Sequence, residues 1–386
     1  MRSLQTIVEG RTKLVVPADS LVNAVPPRYP AFFNPNAKLS RDFSIIAYKS
    51  YVRNLDEKSM ADALAGVGAR AIRAAVEVSD LDTIYINDAN PIAIDMARES
   101  SKLNDVEKKC KFSLNEGCKF LIEHSSKGSR LGIVDLDPFG TPAPYIDCAL
   151  RAANDEGLLS VTATDTPVLC GIYPDVCTRR YYGRSMNVEY GNEIGLRLLL
   201  GLISMIASRL ELGIKPLFVH SIRNYLRVYV RVNVGSRYAE TMPSKLGYVY
   251  HCFSCGNRTY ANQTDDRKIC DTCKKPMKFA GPLWVESMFD DVFVDEMLLS
   301  VNDCSVDKKC GRLLSLASKE IGMPPTYFSV DKISERAKAT PPTISAIIDK
   351  LRSSGYSATR TSLRLTGFKT DAKYNEVLDL FRALVA

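Results

Sequence analysis

The tetrad Asp137-Pro138-Phe139-Gly140 places a carboxylate two residues ahead of an aromatic ring. An ionised aspartate accepts hydrogen bonds from an amine and can later take its proton, and Pro138 adds a carbonyl acceptor without an N–H of its own. Phe139 can lie flat against a nucleobase. The same tetrad can equally be a turn that closes a strand, so its chemistry depends on its surroundings. Three other stretches bear on that. Asp62-Ala63-Leu64-Ala65-Gly66-Val67-Gly68-Ala69-Arg70 carries two glycines that let backbone pass close to a ligand. It departs from the GxGxxG fingerprint and lacks a Walker lysine, which disfavours a pyrophosphate ligand. Asp88 offers an acid of the kind that holds ribose hydroxyls. Glu116, Gly117 and Cys118 follow Asn115 as a further candidate ligand loop.

Cys252, Cys255, Cys270 and Cys273 form a CxxC–x14–CxxC set. Two tight knuckles of thiolates suit tetrahedral zinc, and four sulfur ligands leave no open position, so a structural zinc-ribbon-like site is expected. Two disulfides or an iron–sulfur cluster are the alternatives. His251 reads as a bystander. Cys110, Cys118, Cys148, Cys170, Cys177, Cys304 and Cys310 lack knuckle spacing and read mostly as small core residues. An odd total of 11 cysteines without a regular framework fits reducing surroundings, so a cytoplasmic location is expected.

The elements that must position these groups follow from hydrophobic patterning. The run 131–136 is short, apolar and partly β-branched, a buried strand broken by Pro138 and Gly140. Strands are also expected at 59–65, 82–87, 111–114 and 158–163, with helices at 39–54, 69–78, 91–103, 117–124 and 145–153. Strand–helix alternation with short connections gives a parallel, doubly wound sheet. A long apolar helix at 191–212 and two strands within 216–234 close it. Ligands of such sheets bind beyond the carboxyl ends of the strands, where all four stretches fall. Residues 14–35 are proline-rich and aperiodic. The expected division is a catalytic domain at 1–240, with an N-terminal lid in the irregular segment that carries Phe32, and a C-terminal domain at 241–386. The latter contains the zinc-ribbon-like 248–281 and a winged-helix-like 325–386, with helices at 329–339, 343–353 and 375–384 and a basic two-stranded piece within 356–370.

Glycines after strand one, an acid after strand two and Asp-Pro-aromatic after strand four match S-adenosylmethionine-dependent methyltransferases that act on an exocyclic nitrogen. The chain resembles the archaeal-type tRNA (guanine-26, N2)-dimethyltransferase family over nearly its whole length. The resemblance rests on Phe32-Phe33-Asn34-Pro35 with Arg41-Asp42, on 62–73, on Asn87-Asp88 and above all on 135–142. It implies an α/β, Rossmann-like methyltransferase domain and a smaller α+β C-terminal domain. It also implies cofactor contacts from Arg41, Arg70 and Asp88, catalysis by Asp137, and stacking of the target base on Phe32 and Phe139. The family's third-loop Asp-Ala is matched here by Gly117 and Cys118. That departure leaves an adenine contact to a backbone N–H, or to a carboxylate supplied by Glu116.

The net charge is +7, and between Val301 and Ala386 there are 14 Lys/Arg against 9 Asp/Glu. A basic tail suggests a polyanionic partner, tRNA by the resemblance, or else a solvated surface. Arg360, Arg364 and Lys369, with Lys350 and Arg352, are the expected contacts to the tRNA backbone. Arg179-Arg180-Tyr181-Tyr182-Gly183-Arg184 reads either as a phosphate grip with stacking rings or as a solvated basic loop. No membrane-spanning run is expected, the Met1-Arg2-Ser3-Leu4 start lacks the apolar core of a secretion signal, and no obligatory protein partner is evident. The competing functions are the same chemistry on another RNA or DNA base, and a nucleic-acid-binding regulator with an inactive methyltransferase domain. The intact Asp88 and Asp137 speak against the regulator.

Overall fold

A hairpin that the sequence does not signal begins the structure: β1 (Leu4–Glu9) pairs antiparallel with β2 (Thr12–Pro17). Leu14, Val15 and Val16 are all buried, so no polar alternation marks the strand. Gly10 turns the hairpin at φ +63°, and a Cβ there would stand 2.5 Å from a Glu77 carboxylate oxygen. The structure is a computed structural model that describes residues 4–265 and 268–385. Residues 1–3, including the Met1-Arg2-Ser3 start, together with 266, 267 and 386, lie outside the described residues.

The central sheet contains β3 (Ser59–Asp62), β4 (Thr83–Asn87), β5 (Cys110–Ser113), β6 (Leu131–Leu136), β7 (Ala153–Ala163), β8 (Leu212–Ile222) and β9 (Tyr225–Val234). Its order is β5-β4-β3-β6-β7-β9-β8. The first five strands run parallel, and β9 and β8 are antiparallel. This is the expected doubly wound α/β sheet, with β6 at its centre. β6 is buried at every residue, as a strand covered on both faces must be. Helix Lys38–Tyr51 precedes β3, and helices Ala69–Glu77, Pro91–Leu103, Gly117–Glu123 and Ile146–Ala152 connect the parallel strands.

Helix Gly191–Arg209 is a correction to the reading of apolar runs. By length and composition it could cross a membrane, but 78% of its apolar window is buried inside the protein, where it packs on β8 and the C-terminal sheet.

Past residue 240, β10 (Leu246–His251), β11 (Arg258–Ala261) and β12 (Lys278–Trp284) form an antiparallel sheet around the four paired cysteines. Residues 286–296, rich in Asp and Glu, include the first half of helix Asp291–Val301, which is capped by Asp290 and buries Phe293, Val294 and Met297. These residues and Leu314 share the apolar core of the central sheet, so that core runs past the expected boundary at 240/241. A separate cluster, Phe328 to Phe381, is the core of the winged-helix-like end. There β13 (Phe328–Ser329), β14 (Ala358–Arg360) and β15 (Gly367–Thr370) pack with helices Val330–Ala337, Ile344–Ser353 and Tyr374–Val385.

Candidate active site

The carboxyl ends of β3, β4, β5 and β6 meet at one edge, and a single buried amide fixes three of them. Asn87, the last residue of β4, donates from Nδ2 to the carbonyls of Ala63 and Asn115, both at 3.0 Å. Its Oδ1 accepts from the Asn115 N–H and the Ser113 hydroxyl. Next to it, Asp88 accepts one backbone N–H on each oxygen: Gly66 at 2.7 Å and Asn90 at 2.9 Å. Each oxygen keeps a further acceptor site, so the carboxylate is oriented but not saturated.

Asp137 follows β6, with its side chain 32% exposed. One oxygen accepts a hydrogen bond from Arg70 Nη2. Arg70 itself is buried: Nη1 donates to Ser44, and Nε stands 3.3 Å from Asp135 Oδ1. Asp135 lies on the same strand face as Asp137, two residues earlier. It is wholly buried and accepts on Oδ2 from Arg227 Nη2, Tyr48 Oη and, at 2.6 Å, Ser160 Oγ. Burial opposes its ionisation, but the adjacent guanidinium groups of Arg227 and Arg70 hold its carboxyl below the ordinary range. Asp62, which ends β3, is pushed the other way, by burial first and then by the negative charge of Asp135. Its Oδ1 is buried without a hydrogen-bond partner. Arg227 and Tyr48 were not among the residues singled out by sequence, and Asp62 and Asp135 lay in the quoted stretches without a role assigned. Only the i, i+2 spacing of Asp135 and Asp137 signals their common face.

The aromatic pair comes together. The Phe32 and Phe139 rings meet edge to face at 4.7 Å between centroids, and the Arg28 guanidinium lies 4.6 Å from the Phe139 centroid. Phe139 is 55% exposed. Phe33, next to Phe32 in the chain, is buried beneath Arg41 at 4.9 Å, which makes Phe32 the outward member of the two. The segment rests on the first loop. A Cβ on Gly66, at φ +54°, would approach the Phe32 carbonyl to 3.1 Å. Asn90 Nδ2 also donates to the Pro30 carbonyl at 2.7 Å.

Arg41 does not reach the edge formed by Asp88 and Asp137 through any hydrogen bond. It forks onto Glu9 at 2.6 and 2.7 Å and donates to the Asn34 carbonyl at 3.1 Å, so it anchors the segment that carries Phe32 and Phe33. Glu116 caps helix Gly117–Glu123, accepting the Lys119 N–H at 3.1 Å. Gly117 is packed against Leu64 and Tyr145. Cys118 and Cys148 correct the expectation of small core thiols. They form a disulfide, with Cα atoms 5.5 Å apart, that ties the β5 loop to the helix after Asp137.

The four paired cysteines converge as expected. Their Sγ atoms all lie within 4.8 Å of one another. Cys252 and Cys273 are 3.4 Å apart and Cys255 and Cys270 are 3.5 Å apart. Thiolates at about 2.3 Å around a tetrahedral zinc stand roughly 3.8 Å from each other, so the cluster fits that ion. His251 turns away, with Nδ1 3.0 Å from the Tyr190 hydroxyl.

Among the basic residues the outcome divides. Arg360 is exposed, Arg364 is exposed and paired with Asp331 at 3.3 Å. Lys369 is a correction: it is buried, with Nζ 2.8 and 2.9 Å from the two carboxylate oxygens of Glu193, and so faces the catalytic core rather than a polyanion. The first half of the Arg179–Arg184 stretch ends helix Pro174–Tyr181, and only Tyr182 to Arg184 lie outside it. Tyr181 is buried on Asp165 at 2.6 Å, and Arg179 and Arg180 face outward.

The family model described as "N2,N2-dimethylguanosine tRNA methyltransferase" matches residues 10–382. The chain is 35% identical over 385 residues to tRNA (guanine(26)-N(2))-dimethyltransferase of Methanothermobacter thermautotrophicus, covering 98% of this chain and 99% of that protein. It is 34% identical over 393 residues to the protein of the same name from Methanosarcina acetivorans, with 98% and 99% covered. Its fold is similar to that of Trm1 from Pyrococcus horikoshii, solved as a complex with S-adenosyl-L-methionine. The TM-score is 0.84 at 28% identity, over 98% of this chain and 99% of that one. With the family model and full-length relatives in agreement, the chain belongs to the N2,N2-dimethylguanosine tRNA methyltransferase family.

Proposed function

We propose that the chain transfers methyl groups from S-adenosylmethionine to the exocyclic N2 of guanine 26 in tRNA, giving the methylated and dimethylated base. The observation that carries this reading is Asp137. It is a partly exposed carboxylate held at the carboxyl end of the central strand, beside the Phe32 and Phe139 rings. The donor set fits the cofactor. Asp88 has free acceptor sites for a ribose diol, Arg70 supplies a cation for a carboxylate, and the unpartnered Asp62 Oδ1 supplies a group for an ammonium. Arg41 enters by fixing the lid segment over that edge. Glu116, Gly117 and Cys118 form the wall at β5, where a backbone N–H rather than the capping Glu116 carboxylate is free to meet a base.

When bound, S-adenosylmethionine supplies an electrophilic methyl group on a sulfonium. The guanine amine is a poor nucleophile because its lone pair is conjugated with the ring. Asp137 accepts its hydrogen bonds, aims the lone pair and takes the proton as nitrogen becomes positive, help typically worth about 10²–10⁴-fold. Phe32 and Phe139 receive a base drawn out of its stack, and a slot for it opens as the touching rings part. The reaction needs no covalent enzyme intermediate, so the cysteines have no nucleophilic part. The four-cysteine cluster holds a structural zinc, and Arg360 with the outward Arg179 and Arg180 meets the tRNA backbone.

Nucleosides from tRNA incubated with enzyme and S-adenosylmethionine, analysed by mass, should contain N2-methyl- and N2,N2-dimethylguanine from position 26. Methylation of a different base overturns the substrate assignment. Asp137→Asn should bind cofactor and lose most transfer, and a near-native rate constant refutes its role.

A further inference from the structure

We propose that Arg227 is a positioning residue for Asp137, acting through a string of four alternating charges, Arg227–Asp135–Arg70–Asp137. The inference rests on the reading of Asp137 as the proton acceptor. Arg227 lies on antiparallel β9, separated from β6 by β7, and its hydrogen-bond partners are on strands and on helix Lys38–Tyr51, not in the loops of the reactive edge. It is nonetheless fully buried and fully engaged. Nε donates to Tyr229 Oη at 3.0 Å and Nη1 donates to Thr162 Oγ1. Nη2 donates to Asp135 Oδ2 and lies 3.1 Å from both Tyr48 Oη and Ser160 Oγ. A buried guanidinium with so many fixed partners is a rigid anchor, and its charge is what keeps Asp135 ionised in the core.

Asp135 passes the effect on. With Oδ2 filled by Arg227, Tyr48 and Ser160, Oδ1 is left facing Arg70 Nε, where it lacks the geometry of a hydrogen bond but sets the charge. Arg70 is thereby held between two carboxylates, the inner one buried and the outer one reactive. Asp135 neutralises much of Arg70's field, so the cation that orients Asp137 is itself balanced from behind. The groups packed around the string are few. Ser44 and Tyr48 come from helix Lys38–Tyr51, and Asp62 ends β3. Ser160 and Thr162 lie on β7, His220 on β8, and Tyr225 and Tyr229 on β9. His220 is neutral, driven well below its ordinary value by burial and by Arg227 and Arg70.

Without Arg227, Asp135 is a buried carboxyl with a weaker counter-charge, and it takes up a proton. Asp137 then loses the negative charge across Arg70 from it, while the positive charge lost with Arg227 lies one step further out, beyond Asp135. The nearer change dominates, so Asp137 becomes a weaker base, more tightly clamped by Arg70.

The test is single-turnover methyl transfer to tRNA by Arg227→Met, Arg227→Lys and Tyr48→Phe full-length enzyme across pH, beside S-adenosylmethionine binding by calorimetry. Arg227→Met should lower the rate constant by about tenfold or more and move the acid limb of the profile to lower pH by about one unit, tenfold in proton concentration. The cofactor dissociation constant should stay within a few-fold. Arg227→Lys, which keeps the charge, should recover the position of the limb. A slowed Arg227→Met enzyme with an unmoved acid limb, or with no recovery in Arg227→Lys, overturns the proposal. If Arg227→Met does not fold, Tyr48→Phe decides, because it removes one hydroxyl from Asp135 and opens no large cavity. A rate loss at unchanged cofactor affinity supports the string, and a native rate overturns it. Asp137→Asn in the same series separates the two readings. If that variant keeps its rate, Asp137 is not the base; if it alone fails, only the string is refuted.

Discussion

Replacing Lys369 by Met should loosen the winged-helix-like end from the catalytic core. Lys369 on β15 reaches into a fully buried site and contacts both oxygens of Glu193 and, at 3.1 Å, the Pro324 carbonyl. Glu193 belongs to the long core helix and also accepts from Arg197 Nε at 3.0 Å and the Thr326 N–H at 2.9 Å. Removing one member of a buried ion pair costs about 3–5 kcal/mol, because the other charge stays behind. Arg197 remains beside Glu193, so the lower end, about 3 kcal/mol, is expected. Methionine keeps most of the volume, which limits any cavity contribution. The assay is urea unfolding followed by Trp284, the single tryptophan, which is buried and whose carbonyl accepts from Arg197 at 2.9 Å. A double-mutant cycle with Glu193→Gln isolates the pair. The pH dependence has a definite sign. Burial opposes ionisation of Glu193, but Lys369 and Arg197 lower its folded value below the ordinary 4.5. Its contribution is therefore present above about pH 4.5 and lost as pH falls through the folded value. The variant should lose less stability than the parent across that acid range. A loss under about 1 kcal/mol, the scale of an exposed pair, or a cycle with no coupling would refute the lock.

Metal analysis should find about one zinc per chain, and chelation should lower the melting temperature; metal-free protein with unchanged unfolding counts against the cysteine site. Alanine at Phe139, or at Phe32, removes a stacking face worth roughly 1–3 kcal/mol. The Michaelis constant for tRNA should rise by about 5- to 150-fold, with cofactor affinity within a few-fold. Loss of cofactor binding in Phe32→Ala would make it part of the cofactor wall. Affinity for tRNA should fall steeply with salt, and Arg360→Ala should flatten the logarithmic slope by about one. Arg364→Ala should change it less, since Asp331 already pairs with that guanidinium. An unaltered slope in both means the wing does not touch the backbone.

The reactive edge was legible because its signals are local. Pro91 behind a capping Asn90 fixes helix Pro91–Leu103 at the residues expected, and Asp-Pro ends β6 where the pattern breaks. What stayed hidden depends on partners distant in sequence. Arg227 sits in an alternating strand whose polar positions read as outward, yet it points into the core because Asp135 is there to receive it. Lys369 looks like any lysine of a basic wing until Glu193, 176 residues away, is brought beneath it. The Cys118–Cys148 bond joins residues 30 apart with no motif between them. Helix Asp291–Val301 was masked by its own acids, which lie on the cap and outer face while Phe293 and Met297 go inward.

The hairpin carboxylate Glu9 imposes an order on synthesis. It binds Arg41 and, at 3.0 Å, Arg73, which leave the ribosome 32 and 64 residues after it. Until helix Ala69–Glu77 has emerged, Glu9 has only one of its two guanidinium partners. The start of the chain is therefore fastened only after helix Ala69–Glu77 is available, as a clasp over helices that follow it in sequence. Cleavage near Gly10 after folding would leave Arg41 with only the Asn34 carbonyl, whereas Arg73 would keep Asp42 and Glu77. Proteolytic trimming of the hairpin would thus be transmitted through Arg41 to the segment that carries Phe32, while the sheet beneath stayed whole.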